Sequence, residues 1–437
     1  MTAAPSPSPR SKHWHCSDPD CLAHFNEKPA GRCPSCGKWN TVREGVPDMM
    51  STDVMPMRDI DPECKHKIPT GLIELDVALD GGVVPGQVIM IGGGPGAGKS
   101  TLVLEVGDAM TKRGALNIET GRTMKKKNDV LIATSEEDVE KVRARGIRIK
   151  KGDNVLLSHC REYNEIEADL AQFSPEFGII DSLKRLRDAT SQQGAVATME
   201  RIYQFADTTK TTMFVLMGVN GDGDIAGMMD LQHIVDTILM LERDRKDSDY
   251  RTLRVLKNRH GSEDYVGLFE MRADGLHSYD PGKHLKHGRL APGQAFAIAT
   301  LGGRCFPIEV QALAISSEKS TLSVVGYPSD RVRTILAILG AHTDVDVFQK
   351  DIYVSIIGGL NFTDTAIDSA IAMAVSSAIK KKALPARTAY VGELDLIGEI
   401  KTGARTPLRK EVADRHGFRV ATAETIGDIV HEIGRKS

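Results

Sequence analysis

The segment Gly93-Gly94-Pro95-Gly96-Ala97-Gly98-Lys99-Ser100 is a complete G-x-x-x-x-G-K-[ST]. The apolar run Val88–Ile91 precedes it and the helical run Thr101–Met110 follows, so it reads as strand, phosphate-binding loop and helix. Glycines are needed there because side chains would keep backbone N–H groups from closing around a β-phosphate, and the helix N-terminus adds partial positive charge. The expected ATP-binding set is therefore Gly93, Gly94, Pro95, Gly96, Ala97, Gly98, Lys99, Ser100 and Thr101. Lys99 is expected on the β- and γ-phosphates and the Ser100 hydroxyl on Mg²⁺.

Such a loop needs an acidic partner at the tip of a neighbouring strand. Phe177–Ile180 ends in Asp181, which is expected to hold Mg²⁺ directly or through water, the plainer alternative being a cap on the next helix. Val130–Thr134 ends in Ser135-Glu136-Glu137. A carboxylate at that strand end can orient and deprotonate an attacking water; Glu136 is better placed by its distance from the strand, and Glu137 reads as a solvated charge. Leu253–Gly261 puts Lys257 and Arg259 just after a strand, far along the chain from the loop. These two cations are either a solvated strand end or a finger reaching a neighbouring subunit's ATP.

Cys16-x4-Cys21 and Cys33-x2-Cys36 supply four thiolates, enough for a closed tetrahedral Zn²⁺ site. Four protein ligands leave no open position, so the expected role is structural, and His13, His15 and His24 would serve only if one cysteine failed. Cys64, Cys160 and Cys305 stand alone, and this clustering favours metal over disulfides.

The elements that carry these residues sit in a chain of 437 residues, 41% hydrophobic and 26% charged, which suits about three domains and excludes wholesale disorder or a fibrous rod. A net charge of -3 leaves no global field to draw the chain onto nucleic acid, so DNA binding would rest on local patches. No apolar run approaches the roughly 20 residues of a membrane span, and the first dozen residues lack a signal peptide's apolar stretch. A cytoplasmic protein without membrane contact is expected.

Residues 1–12 form a Pro/Ser tail expected to be disordered, 13–42 the cysteine module, and 43–66 a linker. From 67 to 282 short β-branched runs alternate with helical stretches, including Met213–Met217 and Thr237–Leu241, which argues for βαβ units and a mostly parallel sheet. Pro and Gly punctuation from Asp280 to Gly293 marks a boundary. Residues 295–437 read as a second α/β region with strands near Pro307–Ile315, Ile352–Ile357 and Tyr390–Ile400. Ile367, Ile371, Val375 and Ile379 predict a helix from about Thr363 to Lys382, capped by Thr363 or Asp364.

The order of cysteine module, phosphate loop, Glu136 loop, Asp181 and Lys257-Asn258-Arg259-His260-Gly261 resembles the RadA (Sms) family of bacterial DNA repair proteins, from about residue 13 to 435. Shared short strings include Cys36-Gly37-Lys38-Trp39-Asn40-Thr41, Gly81-Gly82-Val83-Val84-Pro85-Gly86 and Gly358-Gly359. The resemblance implies a RecA-like ATPase core, a C-terminal Lon-protease-like α/β domain and a homo-hexameric ring. It also implies an ATP-driven helicase-type motor on single-stranded and branched DNA that promotes branch migration, with recombinase and replicative helicase as partners. Lys257 and Arg259 would then lie at the subunit interface.

Four departures stand out. His260 replaces the family's Phe, residues 114–129 carry an insertion with Lys125-Lys126-Lys127 that reads as a solvated loop, and Leu216–Gly223 is one residue short and lacks the family's His. The first cysteine pair is also wider than the family's C-x2-C. DNA contacts are expected in Gly221–Met229, in the six cations of residues 141–151, and among Arg251, Arg254, Lys257 and Arg259, each weighed against a solvated face. In the tail, Ala366 stands where a Lon-type serine nucleophile would be, and Ser369 lies about one turn further on, so no acyl-enzyme is expected. The rival readings are a KaiC-like nucleotide-regulated hexameric scaffold with little DNA activity, and an ATP-dependent protease.

Overall fold

A computed structural model describes residues 14–16, 21, 24–25, 29–44, 66–113, 115–116, 123–124, 129–219, 228–243, 249–285 and 290–433. The chain divides into two units, residues 1–64 and 65–437.

In the first unit, Trp14–Cys16 is the central strand of a three-stranded antiparallel sheet with His24–Phe25 and Val42–Glu44. The last of these strands runs two residues into the expected linker. A tight turn follows Cys33: Gly37 donates its N–H to the Cys33 carbonyl, and Cys33 donates to that of Lys38. Gly37 has a φ of +75°, which a glycine adopts without strain.

The second unit holds a nine-stranded sheet. Six parallel strands run in the spatial order Thr237–Arg243, Val88–Gly93, Thr212–Gly218, Phe177–Asp181, Val130–Thr134 and Leu156–His159. Three antiparallel strands, Tyr250–Asn258, Val266–Arg272 and Gly275–Ser278, extend the edge beyond Thr237–Arg243. The phosphate-loop strand is buried along its whole length because helices cover both faces. Ile89 and Ile91 face a layer with Leu102, Val106 and Phe214, and Val88 and Met90 face the opposite layer with Met199, Ile202 and Leu170. That is why the strand reads as a continuous apolar run without alternation.

The C-terminal region forms a second, six-stranded sheet in the order Leu322–Val325, Lys350–Ile357, Arg304–Ser316, Gln294–Leu301, Thr388–Tyr390 and Arg419–Ala421. Two expectations change here. The predicted strand Tyr390–Ile400 is instead the end of Thr388–Tyr390 followed by a small hairpin, Glu393–Leu394 against Ile400–Lys401. Asp395 turns that hairpin by accepting the N–H groups of Ile397 and Glu399. The long helix starts later than its apolar spacing suggests: Asp364 caps a 3₁₀ turn, Thr365–Ile367, and the α-helix runs Asp368–Lys380. Within the insertion, Ala115–Leu116 pairs with Thr123–Met124 as a short ladder rather than a bare loop, and Lys125-Lys126-Lys127 lies outside the described residues.

The two sheets are joined by polar contacts. Glu74, almost fully buried, accepts the Leu268 N–H at 2.8 Å and pairs with Arg304 at 2.5 Å. Arg405 pairs with Asp264, and the Tyr279 hydroxyl donates to the Gly358 carbonyl. Among the described residues, no helix is long and apolar enough to cross a membrane.

Within the C-terminal region, Arg409 is 2% exposed and clamps Asp364 with both terminal nitrogens, at 2.7 and 2.9 Å. Asp364 also accepts the Thr300 N–H, so one carboxylate ties a strand, a 3₁₀ turn and a helix together. Removing that carboxylate strands a buried guanidinium, so Asp364→Ala is expected to cost about 3–5 kcal/mol of stability. Urea unfolding checks this, and Asp364→Ala combined with Arg409→Met should recover part of the loss.

Candidate nucleotide site and metal centre

The phosphate loop leaves the carboxyl end of Val88–Gly93 and runs straight into the helix Lys99–Arg113. Gly96 and Gly98 have φ of +70° and +107°, which side-chain-bearing residues adopt only with strain. A Cβ on Gly93 would stand 2.5 Å from the Leu241 carbonyl oxygen, so the neighbouring strand also requires glycine there. Lys99 folds over the loop, its Nζ donating to the carbonyls of Gly93 and Gly94 at 2.7 and 3.1 Å. Burial lowers its pKa, against the pull of Asp181 and Glu136.

Asp181 is not on the adjacent strand, as the sequence suggests, but on the next one along; Thr212–Gly218 lies between. Register compensates for the gap. Gly218 stands level with Gly93, and Asp181 level with Thr134, so all these tips end at one edge. Ser100, in the first turn of the helix, hydrogen-bonds Asp181 across the intervening tip. Burial raises the Asp181 pKa, the Ser100 hydrogen bond opposes that, and Glu136 adds to it.

The Glu136 loop is zipped to the same tip. The Ser135 N–H donates to the Asp181 carbonyl at 2.8 Å, and the Ser182 hydroxyl donates to Glu136 at 3.1 Å. Glu137 turns the other way and pairs with Arg145 at 2.6 Å. The structure thus gathers Lys99, Ser100, Asp181 and Glu136 at one edge. An Mg²⁺ would find the Ser100 hydroxyl and the Asp181 carboxylate already in contact, and a nucleotide would draw Lys99 off the loop carbonyls.

Lys257 and Arg259 do not join this group. Lys257 lies inside the strand Tyr250–Asn258 rather than after it; Asn258 pairs with Thr237, which stands level with Ile89, so both cations are at the opposite edge from the loop. Lys257 donates to the carbonyls of Gln232 and Val235 at the end of the helix Met228–Ile234, and Arg259 pairs with Asp236 and donates to the His233 carbonyl. Lys257 stands level with Met90, three strand residues or roughly 10 Å short of Gly93 and two strands to the side, and its ammonium is held at the far edge.

Of the expected DNA contacts, residues 141–151 lie mostly on the helix Val139–Ile149, where Arg145 and Arg143 are paired with Glu137 and Asp153. Arg254 pairs with Glu242, and residues 220–227 lie outside the described residues. Arg251 is reassigned. It is 3% exposed, and its Nε donates to the Ala97 carbonyl in the phosphate loop at 2.9 Å. Arg243 donates to the Gly96 carbonyl at 3.0 Å, a contact the sequence reading missed. The signal was present: Arg251, Leu253 and Val255 share the inward face of one strand, and a charge on an apolar face needs a partner.

In the first unit the four cysteine sulfurs lie within 4.8 Å of one another, with Cys16–Cys36 and Cys21–Cys33 both at 3.7 Å. A zinc–sulfur bond of about 2.3 Å in tetrahedral geometry requires sulfurs roughly 3.8 Å apart, so the donor set fits Zn²⁺.

Residues 67–265 match a family of unknown function, DUF7125. Over 411 residues the chain is 32% identical to the DNA repair protein RadA of Streptococcus pyogenes serotype M3, covering 89% of this chain and 87% of that one. It is 33% identical over 409 residues to the RadA of Aquifex aeolicus, covering 90% and 89%, and 31% identical over 412 residues to that of Listeria monocytogenes, covering 89% and 87%. Among solved structures, a KaiC-like protein from Pyrococcus horikoshii aligns with a TM-score of 0.41 and 15% identity, over 49% of this chain and 99% of that one.

Two outcomes follow from this geometry. Purified protein should carry about one equivalent of zinc by elemental analysis, and Cys33→Ser should lower it below half. Because burial raises the Asp181 pKa, the folded state takes up a proton that the unfolded chain releases. Nucleotide-free stability should therefore rise as pH falls through that raised value towards about 4. Asp181→Asn should raise the thermal midpoint of nucleotide-free protein, flatten this pH dependence, and weaken binding of MgATP.

Proposed function

The chain belongs to the RadA family of DNA repair proteins, and from that premise we propose that it is an ATP-hydrolysing motor acting on single-stranded and branched DNA during recombinational repair. The observation that carries this reading is the convergence of Lys99, Ser100, Asp181 and Glu136 on one glycine loop at the ends of parallel strands. In this reading the loop's N–H groups and Lys99 hold the phosphates, Ser100 and Asp181 hold Mg²⁺, and Glu136 orients and deprotonates the attacking water. Glu137 is withheld from that role by its pairing with Arg145.

Lys257 and Arg259 act, in the same reading, on the ATP of a neighbouring subunit in a hexameric ring. Their place at the edge away from their own loop supports action across an interface, an effect worth roughly 10³–10⁵ in rate. DNA movement through such a ring accounts for helicase activity and branch migration, with a recombinase and a replicative helicase as partners. The C-terminal region serves as a Lon-like platform without proteolysis. Ala366 is buried and has no oxygen to offer, and Ser369 is fully buried inside the helix Asp368–Lys380. The cysteine module carries structural Zn²⁺, and the protein works in the cytoplasm.

The purified chain should hydrolyse ATP faster with single-stranded DNA than without. Lys99→Ala should abolish the activity, and the stimulation should fade steeply as salt rises. A rate indifferent to DNA at every salt concentration would overturn the motor and favour the nucleotide-regulated scaffold.

A further inference from the structure

Two backbone carbonyls of the phosphate loop are taken by arginines, one at the end of the parallel strand Thr237–Arg243 and one in the antiparallel strand Tyr250–Asn258 beside it. Arg251 donates to Ala97 and Arg243 to Gly96. The two contacts differ in kind. Arg243 reaches in from solvent, whereas Arg251 is buried, and its Nη1 also donates to the carbonyl of Tyr250 at 2.9 Å, which fixes the plane of the guanidinium. Burial and the nearby Arg243 both lower the Arg251 pKa, against the pull of Asp249.

A trans peptide points its carbonyl and its N–H in opposite directions. Holding the Ala97 carbonyl outward therefore aims the N–H of Gly98, the other half of the same peptide unit, to the concave side of the loop. A cationic donor on the carbonyl also polarises that peptide and strengthens its N–H as a donor to an anion. Gly98 has a φ of +107°, and a Cβ there would meet the Met271 methyl at 2.7 Å, so the peptide that carries this N–H is closely packed from behind.

We propose that Arg251 is a positioning residue for nucleotide binding, a buried guanidinium that holds the phosphate loop in its anion-receiving shape from behind. The proposal rests on the nucleotide reading given above. It adds a residue outside the G-x-x-x-x-G-K-[ST] motif, on a strand that joins the chain more than a hundred residues later. The same strand carries Lys257 six residues further on, about 20 Å away, so one rigid element grips the chain's own loop at one end and presents the cations of the far edge at the other.

The test uses the full chain, MgADP carrying a fluorescent N-methylanthraniloyl group, and steady-state ATP hydrolysis. Arg251→Met should weaken MgADP binding about tenfold and raise KM for ATP by a similar factor with kcat within about twofold, because the loop's grip is shared by the ground and transition states. Arg251→Lys, which keeps one donor and the charge, should recover most of the affinity, and Arg243→Ala should lose no more than about threefold. Thermal unfolding of each variant separates loss of grip from loss of fold. If Arg251→Met does not fold, Arg251→Lys combined with Arg243→Ala takes its place and should weaken MgADP binding several-fold. The proposal is overturned if the folded variants bind MgADP like the wild type, or if kcat falls while KM stays put. Wild-type protein that binds MgADP no better than Lys99→Ala would sink the nucleotide reading itself, and this inference with it.

Discussion

The constraint on which the rest depends is the register of the parallel strands. Gly93 and Gly218 stand level, as do Asp181 and Thr134 two residues short of them, so four residues widely spaced in sequence end their strands at the same edge of the sheet. Open α/β sheets bind ligands at the carboxyl ends of their strands for this reason. Shifting any one strand by a residue would exchange the side chains it presents to the two core layers, so the packing of both layers fixes the alignment of the polar tips. The core on both faces of Val88–Gly93 therefore specifies the chemistry as well as the stability.

Charge is buried in this protein wherever separate elements must be held in register. Arg409 with Asp364 fixes strand, turn and helix in the C-terminal region, and Glu74 with Arg304 fixes one sheet to the other. Asp368, fully buried, accepts from Tyr327 and Arg331 and from the Leu394 N–H, and so pins the hairpin that follows Thr388–Tyr390. Such pairs add little net stability over apolar packing but penalise every alternative arrangement that separates the partners.

How much was legible in the sequence follows from how local each determinant is. The phosphate loop is contiguous, so its glycines, lysine and serine were readable together, as were the apolar strands that end in Asp181 and Thr134. The four cysteines were readable because thiols so close in sequence have little else to do in that pattern. The strand Thr212–Gly218 was readable as a strand, but its place between the phosphate-loop strand and Phe177–Asp181 was not, since strand order is set by long-range pairing. Arg251 reads as one more cation in a basic stretch; its alternation with Leu253 and Val255 marks it as inward-facing, but only the fold shows that its partner is a carbonyl 154 residues away. The helix predicted from Thr363 began later because Asp364 is spent on Arg409 and on a 3₁₀ turn, and apolar spacing carries no trace of that competition.

The Glu74 carboxylate has a mechanical consequence. It accepts at once from the backbone of the antiparallel edge and from Arg304 at the start of a C-terminal strand, in a nearly dry setting. Parting the two sheets there would take that carboxylate from one of its two partners, so a single buried anion holds the antiparallel edge and the C-terminal strand together as one block.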